Sequence, residues 1–211
     1  IITALLHDVV EDCDISIHNK PQDGRLTHRL KNSSSEVDIR VSCIPSAFGE
    51  DIVLRIFNQE SIQYNLEKLG FSSIALDSID QMLSHKNGLV LVTGPTGSGK
   101  TTTLYAMLEK LKQNHHNNII SLEDPIESII PGVRQSQIKT DIGYTFEEGL
   151  KYSLRQDPDI IMIGEIRDEK TAKIALEAAY TGHLIIATLH TSDCESTLYR
   201  LAGFNCDPFL L

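Results

Sequence analysis

The 211-residue chain is long enough to bury a full core, and its 41% hydrophobic content places it among globular proteins. A formal net charge of −10 and a pI near 5.2 argue against a surface that holds nucleic acid by neutralising phosphates, so protein partners are expected and direct nucleic-acid binding is not. The four cysteines, Cys13, Cys43, Cys194 and Cys206, lie far apart with no C-x-x-C pair, which points to reduced thiols rather than a zinc knuckle or a disulfide framework.

No apolar run approaches bilayer-spanning length, and the first residues lack the basic start and small-residue cleavage site of a signal peptide. The start at Ile1 and the apolar end Pro208-Phe209-Leu210-Leu211 read as a chain cut within structure. Two blocks are expected, 1–60 and 67–211, joined by a connection over 61–66 after the polar stretch Asn58-Gln59-Glu60-Ser61. In the first block Val37, Ile39, Val41 and Cys43 alternate with Asp38, Arg40 and Ser42, the period of a half-buried strand. A turn at Phe48-Gly49 leads to a second such run, Ile52–Phe57.

The second block alternates helix and strand. A helix through Ile74, Ile79, Met82 and Leu83 ends near Gly88, and strands are predicted at Leu89–Thr93, Ile119–Leu122, Ile160–Ile163 and Leu184–Leu189. Helix starts are marked by Thr145 with Glu148, Asp168 before Glu169, and Ser192 with Glu195, and helix stops by Gly182 and Gly203. This order predicts an α/β fold with a mostly parallel sheet, whose ligands gather at the carboxyl ends of the strands.

At one such end stands Gly94-Pro95-Thr96-Gly97-Ser98-Gly99-Lys100-Thr101, which fits G-x-x-x-x-G-K-[ST] between a strand and a helix that continues through Thr102. The glycines let successive backbone N–H groups turn toward one anion. The helix adds the positive end of its dipole, and Lys100 reaches the outer phosphates. The Thr101 hydroxyl is the expected ligand of Mg²⁺. ATP or GTP binding follows.

Three polar clusters fall at other strand ends. Glu123-Asp124-Pro125-Ile126-Glu127 follows Ile119–Leu122, and a carboxylate there, Glu123, is placed to orient an attacking water. Asp157-Pro158-Asp159 leads through Ile160–Ile163 to Gly164-Glu165, the shape of a Walker B element in which Glu165 acts on Mg²⁺ directly or through water. Thr181-Gly182-His183 leads through an apolar strand to His190, placed to sense the terminal phosphate.

Together, the Walker A run Gly94–Thr101, the aspartate-box run Glu123–Glu127, the Walker B run Leu154–Asp168 and the histidine-box run Thr181–Thr191 resemble the GspE/PilB-type secretion ATPase superfamily. The first block is similar to that family's second N-terminal domain through Pro21-Gln22-Asp23-Gly24-Arg25, Asp38–Ser42 and Gly49-Glu50. The resemblance implies a RecA-like P-loop NTPase domain preceded by a small α+β domain. It further implies ATP with Mg²⁺, a homo-hexamer in the full-length protein, and Arg40 and Arg55 reaching the nucleotide phosphates. The expected role is a motor that drives pilin-like subunits through an inner-membrane platform protein, in type II secretion, pilus biogenesis or DNA-uptake competence, from the cytoplasmic face of the membrane.

Pro21–Arg25 and Gly164–Asp168 look like assembly motors rather than retraction motors, and Lys151 with Tyr199-Arg200-Leu201 is similar to the competence branch. Zinc is not expected in this chain, and His115-His116 reads as an exposed pair rather than a metal site. Two alternatives are a nucleotide-binding docking module with little turnover and a type IV secretion traffic ATPase.

Overall fold

A computed structural model of the chain describes residues 20–29, 36–58, 64–113 and 117–210. Cys13 and the His115-His116 pair lie outside the described residues. The chain forms two compact units, Ile1–Ile62 and Gln63–Leu211.

The first unit contains strands β1 (Gln22–Arg29), β2 (Glu36–Ser46) and β3 (Gly49–Asn58), paired antiparallel in that order. Alternation places Val41 and Cys43 on a buried face and Ser42 and Ile44 on an exposed one. Burial, and then the charge of Glu50, push the Cys43 thiol above its ordinary value. Arg40 is the direct register partner of Arg55, so the two candidate arginines sit opposite each other on neighbouring strands. Strand β1, with the polar sequence QDGRLTHR, has no apolar alternation and owes its conformation to backbone pairing with β2.

The second unit runs α1 (Ser73–Ser84), β4 (Gly88–Thr93), α2 (Lys100–Leu111), β5 (Ile119–Glu123), β6 (Arg134–Gln137), α3 (Phe146–Ser153), β7 (Ile160–Ile163), α4 (Glu169–Tyr180), β8 (Leu184–Leu189) and α5 (Cys194–Gly203). Its five strands are all parallel, in the order β4-β8-β7-β5-β6. Strands β5, β7 and β8 are buried at every position, as expected where helices cover both faces. Alternate residues feed two cores. Ile161, Ile163, Ile185, Ala187 and Leu189 pack with α3, α4 and α5, whereas Ile160, Met162, Leu184 and Ile186 pack with α1 and α2. Tyr64 and Leu66, from the expected connection, pack into the second of these cores.

The helix starts at Thr145 and Asp168 are as expected: their side chains accept from the N–H of Glu148 and Thr171. Two signals moved. At α5 the cap is Asp193 rather than Ser192, because its carboxylate accepts the Ser196 N–H at 2.7 Å. Gly203 is the last residue of that helix, and the left-handed stop is Asn205 at φ 50°. Strand β6, RQSQ, carries no strand signature and forms as the parallel partner of β5.

Candidate functional site

Parallel register brings the four clusters together. Leu122 pairs with Ile163, Ile163 with Ala187, and Leu189 with Thr93, so Glu123, Gly164-Glu165, His190 and Gly94 leave their strands at one edge of the sheet. Glu123, Gly164-Glu165 and His190 line one cleft of about 430 Å³ with Thr96, Gly97, Gly99, Lys100, Thr101 and Thr102 of the loop that Gly94 begins.

The loop geometry follows from its glycines. Gly94 has φ 148°, and a Cβ there would lie 2.7 Å from Ser98 Oγ, so a side chain at this position is strained. Gly99, at φ 91°, is the N-cap of α2 and has no capping side chain, which leaves the first helical N–H groups for another acceptor. Lys100 folds over the loop, its Nζ donating to the carbonyls of Gly94 at 2.8 Å and Pro95 at 2.9 Å. The donor set of amides, ammonium and the Thr101 hydroxyl suits a polyphosphate.

Among the described residues no three His, Cys, Asp or Glu side chains converge on a metal. Mg²⁺ needs none, because it keeps waters and takes its remaining oxygens from phosphate and one or two protein groups. Thr101 and Glu165 line the cleft and fit that requirement.

Glu165 is 16% exposed and is engaged on both sides. Arg167 pairs with it, and His190 Nε2 lies 3.5 Å from its second oxygen. Arg167 also reaches Asp124 at 3.6 Å, and these carboxylates, Glu165 first, hold its guanidinium firmly in the charged form. The strand exit is fixed by Thr188, whose hydroxyl donates to the Gly164 carbonyl at 2.5 Å and whose carbonyl accepts the Ile166 N–H at 3.0 Å.

Glu123 lies deeper, at 3% exposure. Its carboxylate accepts from Ser121 Oγ at 2.6 Å, Gln135 Nε2 at 3.0 Å and the phenol of Tyr105. Asp124 and Glu127, the other acids of the same run, line the cleft and are exposed. Sequence reading placed Glu127 and Arg167 inside motifs without singling them out, and it passed over Tyr105 and Gln135. The signal available was a phenol within the apolar run Leu104-Tyr105-Ala106-Met107-Leu108. Arg40 and Arg55 belong to the first unit and are described there.

The family model for Type II/IV secretion system protein matches residues 3–211. The chain is 47% identical over 203 residues to the type II secretion system protein HxcR of Pseudomonas aeruginosa, covering 96% of this chain and 43% of the relative. It is 46% identical to the type IV pilus assembly ATPase PilB of Myxococcus xanthus, covering 96% of this chain and 36% of that one. The chain thus spans about two-fifths of the curated relatives it matches. Among solved structures, the Legionella pneumophila ATPase DotB superposes with a TM-score of 0.75 at 28% identity, covering 91% of this chain and 53% of DotB. The pilus retraction motor PilT, solved with bound ADP, gives 0.69 at 32% identity, covering 93% of this chain and 53% of PilT. The five-stranded parallel sheet is the RecA-like sheet of secretion ATPases, and the chain belongs to the Type II/IV secretion system protein family, among its GspE/PilB-type members.

Proposed function

We propose that this chain binds ATP with Mg²⁺ and forms the hydrolytic part of a motor that powers assembly of a pilus-like or pseudopilus fibre. The observation that carries the reading is the convergence of four sequence-distant strand ends on one cleft. Phosphoryl transfer to water demands positioning and charge neutralisation more than covalent chemistry.

In this reading the loop amides and Lys100 bind the phosphates, Thr101 holds the metal through its hydroxyl, and Glu165 acts on it directly or through water. Bound Mg²⁺ would neutralise charge on the terminal phosphates. Glu123 orients the attacking water, and its fixed carboxylate supplies an acceptor that needs no rearrangement during the reaction. His190, beside Glu165, reports the state of the terminal phosphate. Arg40 and Arg55 add positive charge to offset the phosphates.

The full-length protein is read as a hexamer at the cytoplasmic face of the inner membrane, working on a platform protein and pilin-like subunits. Identity to type II secretion and pilus-assembly relatives supports an assembly role. The competence branch is a finer reading resting on Lys151 and Tyr199–Leu201. Comparing ATPase rates of the chain with those of Glu165→Gln tests the proposal. Hydrolysis lost in the variant supports a motor. Background rates in both, with nucleotide still bound, would instead favour the docking-module reading.

A further inference from the structure

The loop at 124–133 has no regular structure, yet it carries two acids of the cleft, Asp124 and Glu127, directly after Glu123. Side chains replace the ladder that a strand would provide. Tyr105 Oη accepts the N–H of Glu127 at 3.2 Å and of Ser128 at 3.4 Å while donating to Glu123. Gln135 Nε2 donates to both Glu123 Oε1 at 3.0 Å and the Ser128 carbonyl at 2.9 Å, and its Oε1 accepts the Ile130 N–H at 2.6 Å. Gln137 Oε1 accepts the Ile126 N–H at 3.4 Å.

Among the described residues no buried side-chain nitrogen or oxygen lacks a partner, so the network is closed. Closed buried networks fix one geometry, and breaking a single member leaves costly orphans. Tyr105 is completely buried, and the ring of Tyr64 stands edge-on to it at 5.0 Å between centroids. Burial, reinforced by Glu123, drives the Tyr105 phenol well above its ordinary range, so it remains a donor at every physiological pH.

We propose that Tyr105 is a positioning residue for phosphate hydrolysis: from the helix that the phosphate loop opens, its hydroxyl sets both the rotamer of Glu123 and the backbone that presents Glu127. Gln135, on the polar strand β6, holds the far side of the same loop. The polarity of β6 follows, because its outward-reaching amides serve the loop instead of the core. The inference rests on the function proposed above.

Tyr105→Phe removes that oxygen and keeps the ring. Amide hydrogen exchange in the unliganded chain is expected to quicken at least about tenfold at Glu127 and Ser128, with α2 and β5 otherwise unchanged. Affinity for a non-hydrolysable ATP analogue stays within about twofold while kcat falls at least about tenfold, since ground-state phosphate contacts are untouched. Gln135→Met gives a different signature, faster exchange at Ile130 with Glu127 and Ser128 still protected. Unchanged exchange at Glu127 and Ser128 in Tyr105→Phe would overturn the proposal, as would parallel losses of affinity and turnover. A wild-type chain that fails to bind the analogue would sink the proposed function, and the exchange data would still decide the role of Tyr105.

Discussion

Gly164 and Leu122 meet backbone to backbone across β7 and β5: the Gly164 N–H donates to the Leu122 carbonyl at 2.7 Å, and a Cβ on Gly164 would lie 3.2 Å from that oxygen. The contact sets the spacing between Glu123 and Glu165, which flank it in sequence. Glycine is required here by close approach, not by a left-handed backbone.

Gly164→Ala is therefore expected to destabilise the chain by about 1–3 kcal/mol, because the neighbour that must yield is a strand backbone. Urea unfolding measures it. A midpoint equal to wild type would show that the two strand tips separate freely.

Lys100→Ala should weaken ATP-analogue binding by about 10–100-fold, the range of about 1.5–3 kcal/mol for hydrogen bonds to charged groups. Calorimetric titration provides the test. Undiminished affinity would place the phosphates elsewhere.

Arg167→Ala removes the cation that ties Glu165 to Asp124. Turnover is expected to fall about tenfold with analogue affinity within about threefold, because a freed Glu165 no longer holds one orientation. Arg167→Lys should restore only part of the rate, since an ammonium lacks the planar fork that spans two carboxylates. Full activity in Arg167→Ala would leave the pairing without a role in turnover.

Asp193 gives a pH prediction. Hydrogen bonds from the Ser196 side chain, the Ser196 N–H and the Ser192 hydroxyl lower its carboxyl from 3.8 to about 2 in the folded chain. A depressed folded value means the unfolded state binds the proton more readily. This cap's contribution is thus complete above the unfolded value and is lost as pH falls through about 2. Asp193→Asn should remove that part of the acid dependence. Identical acid-unfolding profiles for variant and wild type, followed by circular dichroism, would contradict it.

Strands β4, β5, β7 and β8 of the second unit were legible because they are mostly apolar, and the starts of α3 and α4 because each begins with a capping oxygen; both signals are local. The turn at Gly94–Thr101 was legible for a related reason: its glycines answer to backbone conformation, as Gly94 and Gly99 show. Strands β1 and β6 were not legible, since their residues are polar and their extended form comes from a partner's hydrogen bonds.

Sequence by itself determined that Glu123, Glu165, His190 and the glycine-rich loop at Gly94 stand at or just past strand ends. Only the tertiary structure decided that Glu123 is fixed at the buried side of the cleft by three donors while Glu127 is exposed in it, and that Arg167 links Glu165 to Asp124. The physical reason is range. Strand and cap signals act over a few residues, whereas two of the three partners of the buried carboxylate come from α2 and β6, 18 and 12 residues away, and are chosen by how the sheet assembles.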